Sequence, residues 1–378
     1  MLNISDLLKP ENGEQSFLRK PTEVGRFSLD GERLFHHDRR QMTCLVMPKV
    51  SRNKKLNFNL NDGFETERFV KRDEDVKERL DHLLMWMQIN KDRFVHKDEG
   101  RSSSHHTIGN FPDFVLWRGH LTKFMCTPYE NRDGWMMAAQ KLGDTIYISE
   151  IETEAAKERK KQMTLREKTM TFWGVRFEGY MTGPFPKPGS EPELPLPACE
   201  TVINTNMAFC SVLRSRLNGR HSLIYGAEVD CCEPVEVLSP PDCYIELKTS
   251  RVFTSKRQEE NFYRYKALKW WAQSYLAGIP QIICGFRDDN GYVSHIENFR
   301  TEIFPQRAEN LHNSWNWKTC LTFLDRILSC IKRFYQQQEL CDMCILTFEP
   351  GNPCIRCESS NSCKDGFLPQ WYIDKMKK

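Results

Sequence analysis

Three carboxylates and a lysine lie in two strand-like segments of the sequence, in a pattern that can hydrolyse phosphate esters. Glu228 and Asp230 end the first segment, and Glu246 and Lys248 lie in the second. Alternate side chains of a strand share a face, so each pair points away from its apolar neighbours. Crowded acids repel one another unless a cation lies between them, and oxygen ligands favour Mg²⁺ or Mn²⁺ over zinc. A lysine beside such ions can direct a water against a phosphate, although the same spacing also occurs among solvated surface residues.

Composition limits the class of protein. A length of 378 residues allows two domains or one large α/β domain, and a formal charge of +3 excludes a polycationic coat for nucleic acid. Any polyanion site must therefore be a local patch. Charged residues from Asp6 to Glu14 interrupt the N-terminus, and no apolar run has the length of a membrane helix. We expect no membrane partner, and we expect the fifteen cysteines to be mostly reduced thiols in the cytosol or nucleus.

Periodicity predicts the elements that must position these residues. Asp73 is a plausible N-cap for an amphipathic helix with Val76, Leu80 and Met87 on its apolar stripe. Thr164 begins a capping-box pattern, and the helix after it carries Glu178. The remaining predicted elements are a strand over 145–153, a helix over 257–277, a hairpin over 281–299 and a helix over 319–338.

The order of these elements predicts a mixed α/β fold with one mixed sheet and flanking helices. Residues 1–20 are polar and are expected to form a mobile N-terminal segment. Residues 21–378 are expected to form a single catalytic domain. Six prolines between Pro184 and Pro197 predict a flexible loop over 183–200 inside that domain. The acidic face of the sheet would then point into a cleft.

Five motifs follow one another in an order that resembles a known family. They are WRGHLTK at 117–123, RFEGYM at 176–181, EVD at 228–230, YIELKTS at 244–250 and WWAQS at 270–274. The segments 72–84 and 204–216 look like family sequence too. The pattern closely resembles the eukaryotic DXO family of RNA 5′-end quality-control enzymes, which is related to the fungal decapping cofactor of the nuclear 5′→3′ exoribonuclease. The resemblance covers about residues 21–372 and implies an active-site core like that of PD-(D/E)xK nucleases.

The resemblance implies a role for each matching position. Arg118 matches a residue that contacts substrate phosphate, while Lys248 and Gln273 match residues that bind substrate and take part in catalysis with Glu228. A pair of Mg²⁺ or Mn²⁺ ions would be held by Glu178, Glu228, Asp230, Glu246 and the carbonyl of Leu247. Lys266 and Lys269, on the helix of Gln273, are candidates for contact with the RNA backbone.

The family's activities are all performed at RNA 5′ ends. They include removal of incomplete caps and NAD caps, pyrophosphate release from 5′-triphosphate RNA, and 5′→3′ digestion of 5′-monophosphate RNA. The resemblance also implies location in the nucleus, possibly also in the cytoplasm, and a nuclear exoribonuclease as a possible partner. Two other functions stay open, namely a DNA nuclease of the PD-(D/E)xK group and a non-enzymatic protein that binds RNA or docks an exonuclease.

The C-terminal cysteines depart from the family pattern. Cys341 and Cys344 form one Cys-x2-Cys pair, Cys354 and Cys357 form another, and Cys363 follows. Zinc sites use such spacing. The intervening strand and turn would place the two pairs at opposite ends of a strand, so reduced structural cysteines are favoured over zinc ligands.

Overall fold

The computed structural model describes most of the 378 residues. The described residues are 1–10, 13–48, 56, 58–94, 111–185, 201–234, 238–338, 341, 343–360 and 366–376. Most of the proline-rich loop expected over 183–200 lies outside them.

Ten α-helices are present in this part of the chain. They are α1 (Ile4–Leu7), α2 (Asp81–Ile89), α3 (Arg118–Cys126), α4 (Glu154–Lys161), α5 (Leu165–Met181), α6 (Lys256–Asn261), α7 (Ala267–Ala277), α8 (Ile303–Glu309), α9 (Trp317–Gln337) and α10 (Gln370–Met376). A π-helical segment, Phe262–Lys266, joins α6 to α7. Short 3₁₀ turns occur at Lys91–Arg93 and Thr127–Tyr129.

Nineteen strands are present in the same residues. They are β1 (Leu2–Asn3), β2 (Thr22–Leu29), β3 (Phe35–His36), β4 (Cys44–Leu45), β5 (Phe58–Asn59), β6 (Phe69–Val70), β7 (Phe114–Trp117), β8 (Trp135–Leu142), β9 (Thr145–Ile151), β10 (Thr182–Gly183), β11 (Ile203–Asn204), β12 (Ala208–Leu217), β13 (His221–Glu228), β14 (Cys231–Cys232), β15 (Tyr244–Arg251), β16 (Gln281–Arg287), β17 (Tyr292–Arg300), β18 (Met343–Phe348) and β19 (Cys354–Ser359).

These strands form two large mixed sheets and one small parallel pair. The first sheet has the order β1-β19-β18-β8-β9-β7-β13-β12-β2-β3, the second has the order β10-β4-β14-β15-β16-β17-β5, and β11 pairs with β6. The α/β class is therefore confirmed. The prediction of a single sheet is wrong in one respect, because β13 and β15 belong to different sheets.

Helices cover the faces of both sheets and make three apolar clusters. Helices α2 and α10 pack on one face of the first sheet, and α3, α7 and α9 pack on its other face and against residues of β16. Helix α5 covers the remaining face of the second sheet through Phe172, Trp173 and Phe177. This arrangement buries Leu223, Tyr225 and other residues that the period of two assigns to the core. On β15, Ile245 and Leu247 pack beneath α5, as their alternation predicts.

Most of the predicted elements are confirmed with small shifts at their ends. Helix α5 begins with the expected capping box between Thr164 and Glu167. Strands β16 and β17 form the expected antiparallel hairpin, and α9 covers the predicted helix over 319–338. Strand β9 ends at Ile151 rather than at 153, because the Thr153 side chain accepts the amide of Ala156 and caps α4.

The helix expected from Asp73 begins eight residues later. Residues 73–80 form turns, and Val76 is 55% exposed rather than buried. Arg33 and Arg72 both bind the carboxylate of Glu78, and Arg79 has a φ of 47° that a right-handed helix cannot contain. These side-chain contacts hold the segment in a non-helical path, so α2 begins at Asp81.

The N-terminal residues differ from the expected mobile segment. Strand β1 pairs with β19, and the amide of Ile4 donates to the Pro353 carbonyl at 2.8 Å. Leu7 is 3% exposed in the core, and Leu18 pairs with β12 through a single bridge. Apolar side chains at spaced positions thus dock this polar stretch onto the domain.

Among the described helices, none combines the length and the apolar character that crossing a bilayer requires.

Gly226 on β13 provides a test of how this fold supports the acidic residues. A Cβ at this position would overlap the indole ring of Trp117, which precedes Arg118. We expect Gly226→Ala to lower the free energy of unfolding by about 1–3 kcal/mol, because overpacking displaces that ring. Chemical denaturation measures the change. A matched control is Gly174→Ala in α5, where the added methyl meets no atom within 4 Å and is expected to be neutral or stabilising. Equal stability of the two variants would contradict this account.

Candidate active site

The two sheets meet at the acidic residues. Strand β13 ends at Glu228 in the first sheet, and β14 begins at Cys231 in the second, so Asp230 lies where the chain crosses between them. The Thr43 hydroxyl donates to the Asp230 carbonyl at 3.1 Å. The backbone N–H of Leu247 donates to Asp230 Oδ2 at 2.7 Å. This crossing places Asp230 beside β15, although the two acidic segments belong to different sheets.

Glu246 and Lys248 project from one face of β15, as their spacing predicts. Lys248 Nζ donates to Glu246 Oε1, and Glu246 is only 2% exposed. Burial opposes ionisation of Glu246, but the charges of Lys248 and Arg118 outweigh it and lower the pKa. Burial also opposes the charge on Lys248, whose pKa is nevertheless raised by Glu246 and Asp230. Both groups are therefore charged near neutral pH.

Arg118 is the first residue of α3, directly after β7, and it points toward the same acids. Its Nη1 lies 4.0 Å from Glu246 Oε1, and its Nη2 donates to the Glu228 carbonyl at 3.3 Å. Within the described part of the chain, no ion pair joins Arg118 to Glu130 or Glu150, the acids near α3 that could hold it in a purely structural role. Glu130 pairs with Lys269 and Glu150 pairs with Lys123. Arg118 is thus placed to meet a group inside the cleft.

Glu178 completes the acidic group from the last turn of α5. Burial, followed by the charges of Asp230 and Glu228, raises its pKa well above the ordinary value. Burial, followed by the charge of Glu246, raises the pKa of Asp230 to about 7. Helix α5 thus brings Glu178 close to acids that are about 50 and 70 residues away in the sequence. Without a cation among them, the four acids do not all ionise readily at neutral pH.

Glu228 occupies the outer part of this group. It is the most solvent-accessible of the four acids, yet the surrounding protein raises its pKa. Arg118, Arg33 and Arg72 oppose that rise. Sequence reasoning did not assign a role to Arg33 or Arg72. For Arg72 a signal existed, since 72–84 resembles family sequence, but Arg33 has no local pattern that would identify it.

Gln273 is on a different element from the predicted metal ligands. It is on α7, in the wall of a cavity of about 650 Å³ that Gly119, Lys123 and Lys269 also line. Gly119 follows Arg118, so this cavity begins beside the predicted phosphate-binding arginine. Among the described residues, no hydrogen bond joins Gln273 to the acids, and its predicted role in catalysis stays a prediction.

Leu247 presents its backbone to the cleft at a gap in the second sheet. Strand β14 pairs with β15 only at Tyr244 and Ile245, and beyond them the Asp230 side chain receives the Leu247 N–H. The carbonyl of a strand residue points to the same side as its N–H. The Leu247 carbonyl therefore points toward Asp230 and away from β16, which suits the predicted role of a backbone oxygen ligand.

The oxygen atoms of the four acids and of the Leu247 carbonyl are suitable ligands for divalent ions. Glu246 Oε2 is buried and has no hydrogen-bond partner, and Arg118 Nη1 is likewise buried without one. Such orphaned polar atoms are costly unless a ligand satisfies them. Across the described ranges, no three acidic, histidine or cysteine side chains enclose a metal site by themselves. Asp230 instead accepts a hydrogen bond from the Leu247 amide, and Glu246 accepts one from Lys248. The predicted set of metal ligands therefore stays a prediction.

The C-terminal cysteines are only partly gathered. Cys344 Sγ and Cys357 Sγ lie 3.1 Å apart across β18 and β19. Cys354 is near the far end of β19, where it pairs with Asn3, and Cys341 Sγ contacts the Met343 carbonyl. Cys363 lies outside the described residues. The two Cys-x2-Cys motifs thus contribute one cysteine each to a contact instead of meeting as complete pairs.

The raised pKa of Asp230 generates a prediction for metal-free protein. The folded state holds this proton up to about pH 7, whereas the unfolded state releases it near pH 4, so the group destabilises the fold progressively as pH rises through that window. We expect Asp230→Asn to gain stability over the original protein as pH rises, with the largest difference above pH 7. Chemical denaturation in the presence of a chelator measures this. Asp144→Asn, in an exposed turn outside the cluster, is the matched control. A difference that does not change with pH would contradict the prediction.

Comparison with known proteins agrees with the fold and with the order of the site motifs. The family model described as "RAI1 like PD-(D/E)XK nuclease" matches residues 19–373. The human decapping and exoribonuclease protein is 39% identical over 366 residues, which cover 97% of this chain and 87% of that protein. The decapping nuclease RAI1 of Neurospora crassa is 30% identical over 327 residues, which cover 85% of this chain and 74% of that protein.

The solved structures show the same fold. The structure of Candida albicans Rai1 in complex with pU5-Mn²⁺ has a TM-score of 0.81 at 20% identity, covering 98% of this chain and 97% of that chain. Scheffersomyces stipitis Rai1 in complex with (3′-NADP)⁺ and calcium has a TM-score of 0.78 at 21% identity, with 98% of each chain covered. The chain therefore belongs to the RAI1-like PD-(D/E)XK nuclease family, and it is an enzyme of the metal-dependent hydrolase class.

Proposed function

We propose that this enzyme hydrolyses phosphodiester or pyrophosphate bonds at the 5′ end of RNA. One observation carries the proposal. Arg118 has an unpartnered buried donor, Glu246 has an unpartnered buried oxygen, and the two side chains approach to 4.0 Å without a hydrogen bond between them. A phosphate and a divalent ion together would satisfy both atoms. The names of the relatives, which include decapping nuclease and exoribonuclease, support RNA as the substrate.

The residues of the cleft would have different roles in an in-line displacement at phosphorus. Glu178, Asp230, Glu246 and the Leu247 carbonyl would hold Mg²⁺ or Mn²⁺, with Glu228 at the outer edge. Two ions, when bound, lower the pKa of a coordinated water and stabilise the attacking and leaving oxygens. Manganese and calcium in the titles of related structures support a divalent ion.

The cations of the site bind and orient the substrate. Arg118 offers a planar guanidinium whose free N–H can bind a non-bridging phosphate oxygen. Lys248 stays charged beside Glu246, so it can direct a water toward phosphorus and offset the charge that develops there. Gln273 would bind the substrate from the neighbouring cavity without adding a charge.

One cleft can serve several 5′ ends, because the bond that is cleaved would be whichever phosphate bond the substrate places beside Arg118 and Lys248. We propose as substrates RNA with an incomplete cap, an NAD cap, a 5′-triphosphate or a 5′-monophosphate. The (3′-NADP)⁺ bound to the Scheffersomyces stipitis protein supports the NAD cap among these. We also propose a nuclear location and a nuclear exoribonuclease as partner, both from the family relationship.

A panel of 5′-labelled RNAs with Mg²⁺ or Mn²⁺ tests this function. The panel contains monophosphate, triphosphate, unmethylated-cap, methylated-cap and NAD-capped RNA, and mass spectrometry resolves the products. We expect metal-dependent release from at least one of them, and slower cleavage of the matched DNA, which lacks the 2′-hydroxyl. Faster cleavage of the DNA would instead favour the DNA nuclease. No release from any RNA would favour a binding protein without activity.

Substitution of the acidic pair tests whether one metal site serves all activities. We expect Glu228→Ala combined with Asp230→Ala to lower every activity by at least about a hundredfold, because the ions would lose ligands. RNA binding is expected to persist, since Arg118 and Lys248 remain. Activity assays on the same RNA panel and fluorescence anisotropy provide the two measurements. Loss of a single activity with retention of the others would show that the sites are separate.

A further inference from the structure

The direction of the Arg118 side chain depends on the backbone that carries it. Within the described residues, its guanidinium donates to the Glu228 carbonyl at 3.3 Å, and its Nη1 lies 4.0 Å from Glu246 Oε1. Contacts of this length hold a long side chain only weakly. Arg118 begins α3 directly after Trp117, whose dihedral angles are still extended. The turn between strand β7 and helix α3 therefore sets where the guanidinium points.

The indole of Trp117 is held on three sides. It fills the space above Gly226, where an added Cβ would lie 2.3 Å from Cζ3 of the indole. It meets Phe27 edge to face, with the ring centres 6.5 Å apart. Its Nε1 donates to the Arg79 carbonyl at 2.6 Å. A hydrogen bond is directional, so the third contact fixes the orientation of the ring.

Arg79 offers this carbonyl from an unusual backbone conformation. Its φ of 47° lies in the left-handed region, which residues other than glycine rarely adopt. Such a conformation costs free energy and persists only where surrounding contacts impose it. The preceding residue, Glu78, supplies those contacts. Its carboxylate accepts hydrogen bonds from Nε and Nη2 of Arg33 and from Nη2 of Arg72.

The contacts of Glu78 also join this segment to the first sheet. Arg33 has a φ of 64°, so it too lies in the left-handed region, and its Nη1 donates to the Asn206 carbonyl at 2.9 Å. Asn206 lies two residues before β12, and β12 pairs with β13, which ends at Glu228. Strained residues are concentrated at functional sites, so two of them in one network indicate a role beyond stability.

We propose that Glu78 and Trp117 are positioning residues for the phosphate contact of Arg118. Glu78 fixes the carbonyl of Arg79, and that carbonyl orients the indole of Trp117. The oriented indole holds the start of α3, so Arg118 keeps an unpartnered buried N–H in the cleft. This inference rests on the proposed function and deepens it, because it adds the contacts that prepare the site for a 5′-phosphate. A donor that is already oriented loses less conformational freedom on binding.

Removal of one indole N–H tests this network. Trp117→Phe keeps an aromatic ring above Gly226, but it cannot donate to the Arg79 carbonyl. The matched control is Trp317→Phe at the start of α9, which removes an indole N–H that donates to Glu309 Oε1 at 3.1 Å. Both variants thus lose one ring and one hydrogen bond of the same kind.

The binding of two RNAs of equal length measures the effect. One carries a 5′-phosphate and the other a 5′-hydroxyl, and the ratio of their dissociation constants from fluorescence anisotropy reports the phosphate contact. All proteins carry Glu228→Ala and Asp230→Ala, so that the RNA is not cleaved. We expect Trp117→Phe to lower the preference for the 5′-phosphate at least about threefold, which is within the usual effect of one lost hydrogen bond. Trp317→Phe is expected to leave the preference unchanged.

Substitution of Arg118 separates positioning from stability. When Arg118→Ala is already present, Trp117→Phe should cause no further loss of the preference, because its effect passes through the guanidinium. A loss of fold stability alone would weaken the binding of both RNAs equally and leave the ratio unchanged. A ratio that falls equally with and without Arg118 would overturn the inference.

Glu78→Gln provides a second variant, for which electrostatics and positioning predict opposite signs. It removes a negative charge, so electrostatics alone would strengthen the binding of a phosphate. Weaker contacts with Arg33 and Arg72 would instead release the Arg79 carbonyl, so we expect the preference for the 5′-phosphate to fall. A stronger preference would overturn the inference.

Chemical labelling gives a measurement that involves no RNA. Phenylglyoxal modifies arginine side chains according to their exposure, and the side chain of Arg118 is 12% exposed. We expect Trp117→Phe to raise the rate of Arg118 labelling, followed by mass spectrometry, at least about threefold, and Trp317→Phe to leave it unchanged. An unchanged rate in Trp117→Phe would overturn the inference whatever the RNA results. A raised rate in a protein that cleaves no RNA would count against the proposed function alone.

Discussion

Burial of several carboxylates in one cleft, where they also repel one another, is the constraint on which the site depends. Asp230 and Glu178 are pushed toward their protonated forms, while Glu246 is kept ionised by Lys248 and Arg118. The charge in the cleft is therefore uneven, because Glu246 is ionised and paired, whereas Asp230 and Glu178 favour their protonated forms in the absence of a bound cation. A divalent ion bound among these acids would relieve a cost that the folded chain already bears.

The architecture creates this crowding by joining two sheets at the acids. A residue at the end of β13 can approach β15 only because the chain leaves the first sheet there, and β14 is too short to cover the backbone of Leu247. Asp230 takes the place of the missing strand by accepting the Leu247 amide. The same gap exposes the backbone oxygen of Leu247, so one irregularity of the second sheet supplies both an oriented carboxylate and a carbonyl.

Local patterns in the sequence predicted which face of a strand is buried and where a helix begins. They did not predict which strands pair. The period of two placed Glu246 and Lys248 opposite Ile245 and Leu247, and the capping box located the start of α5. Neither pattern carries information about which strands pair, so the separation into two sheets was missed. The false helix at 73–80 has the same origin. The apolar spacing of this segment is present, but the contacts of Glu78 with the distant Arg33 and the nearby Arg72 override it.

The two cations of the cleft, Arg118 and Lys248, reach the acids from different elements. Arg118 enters the cleft from α3, whose next residue, Gly119, lines the cavity of about 650 Å³, whereas Lys248 enters the cleft from β15. A 5′ end has a chemically variable group on one side of the reacting phosphate and a uniform phosphate backbone on the other. Under the proposed function, the cavity of about 650 Å³ beside α3 has room for the variable group. Room on that side would let the same two cations, Arg118 and Lys248, act on 5′ ends that differ in the group beyond the reacting phosphate.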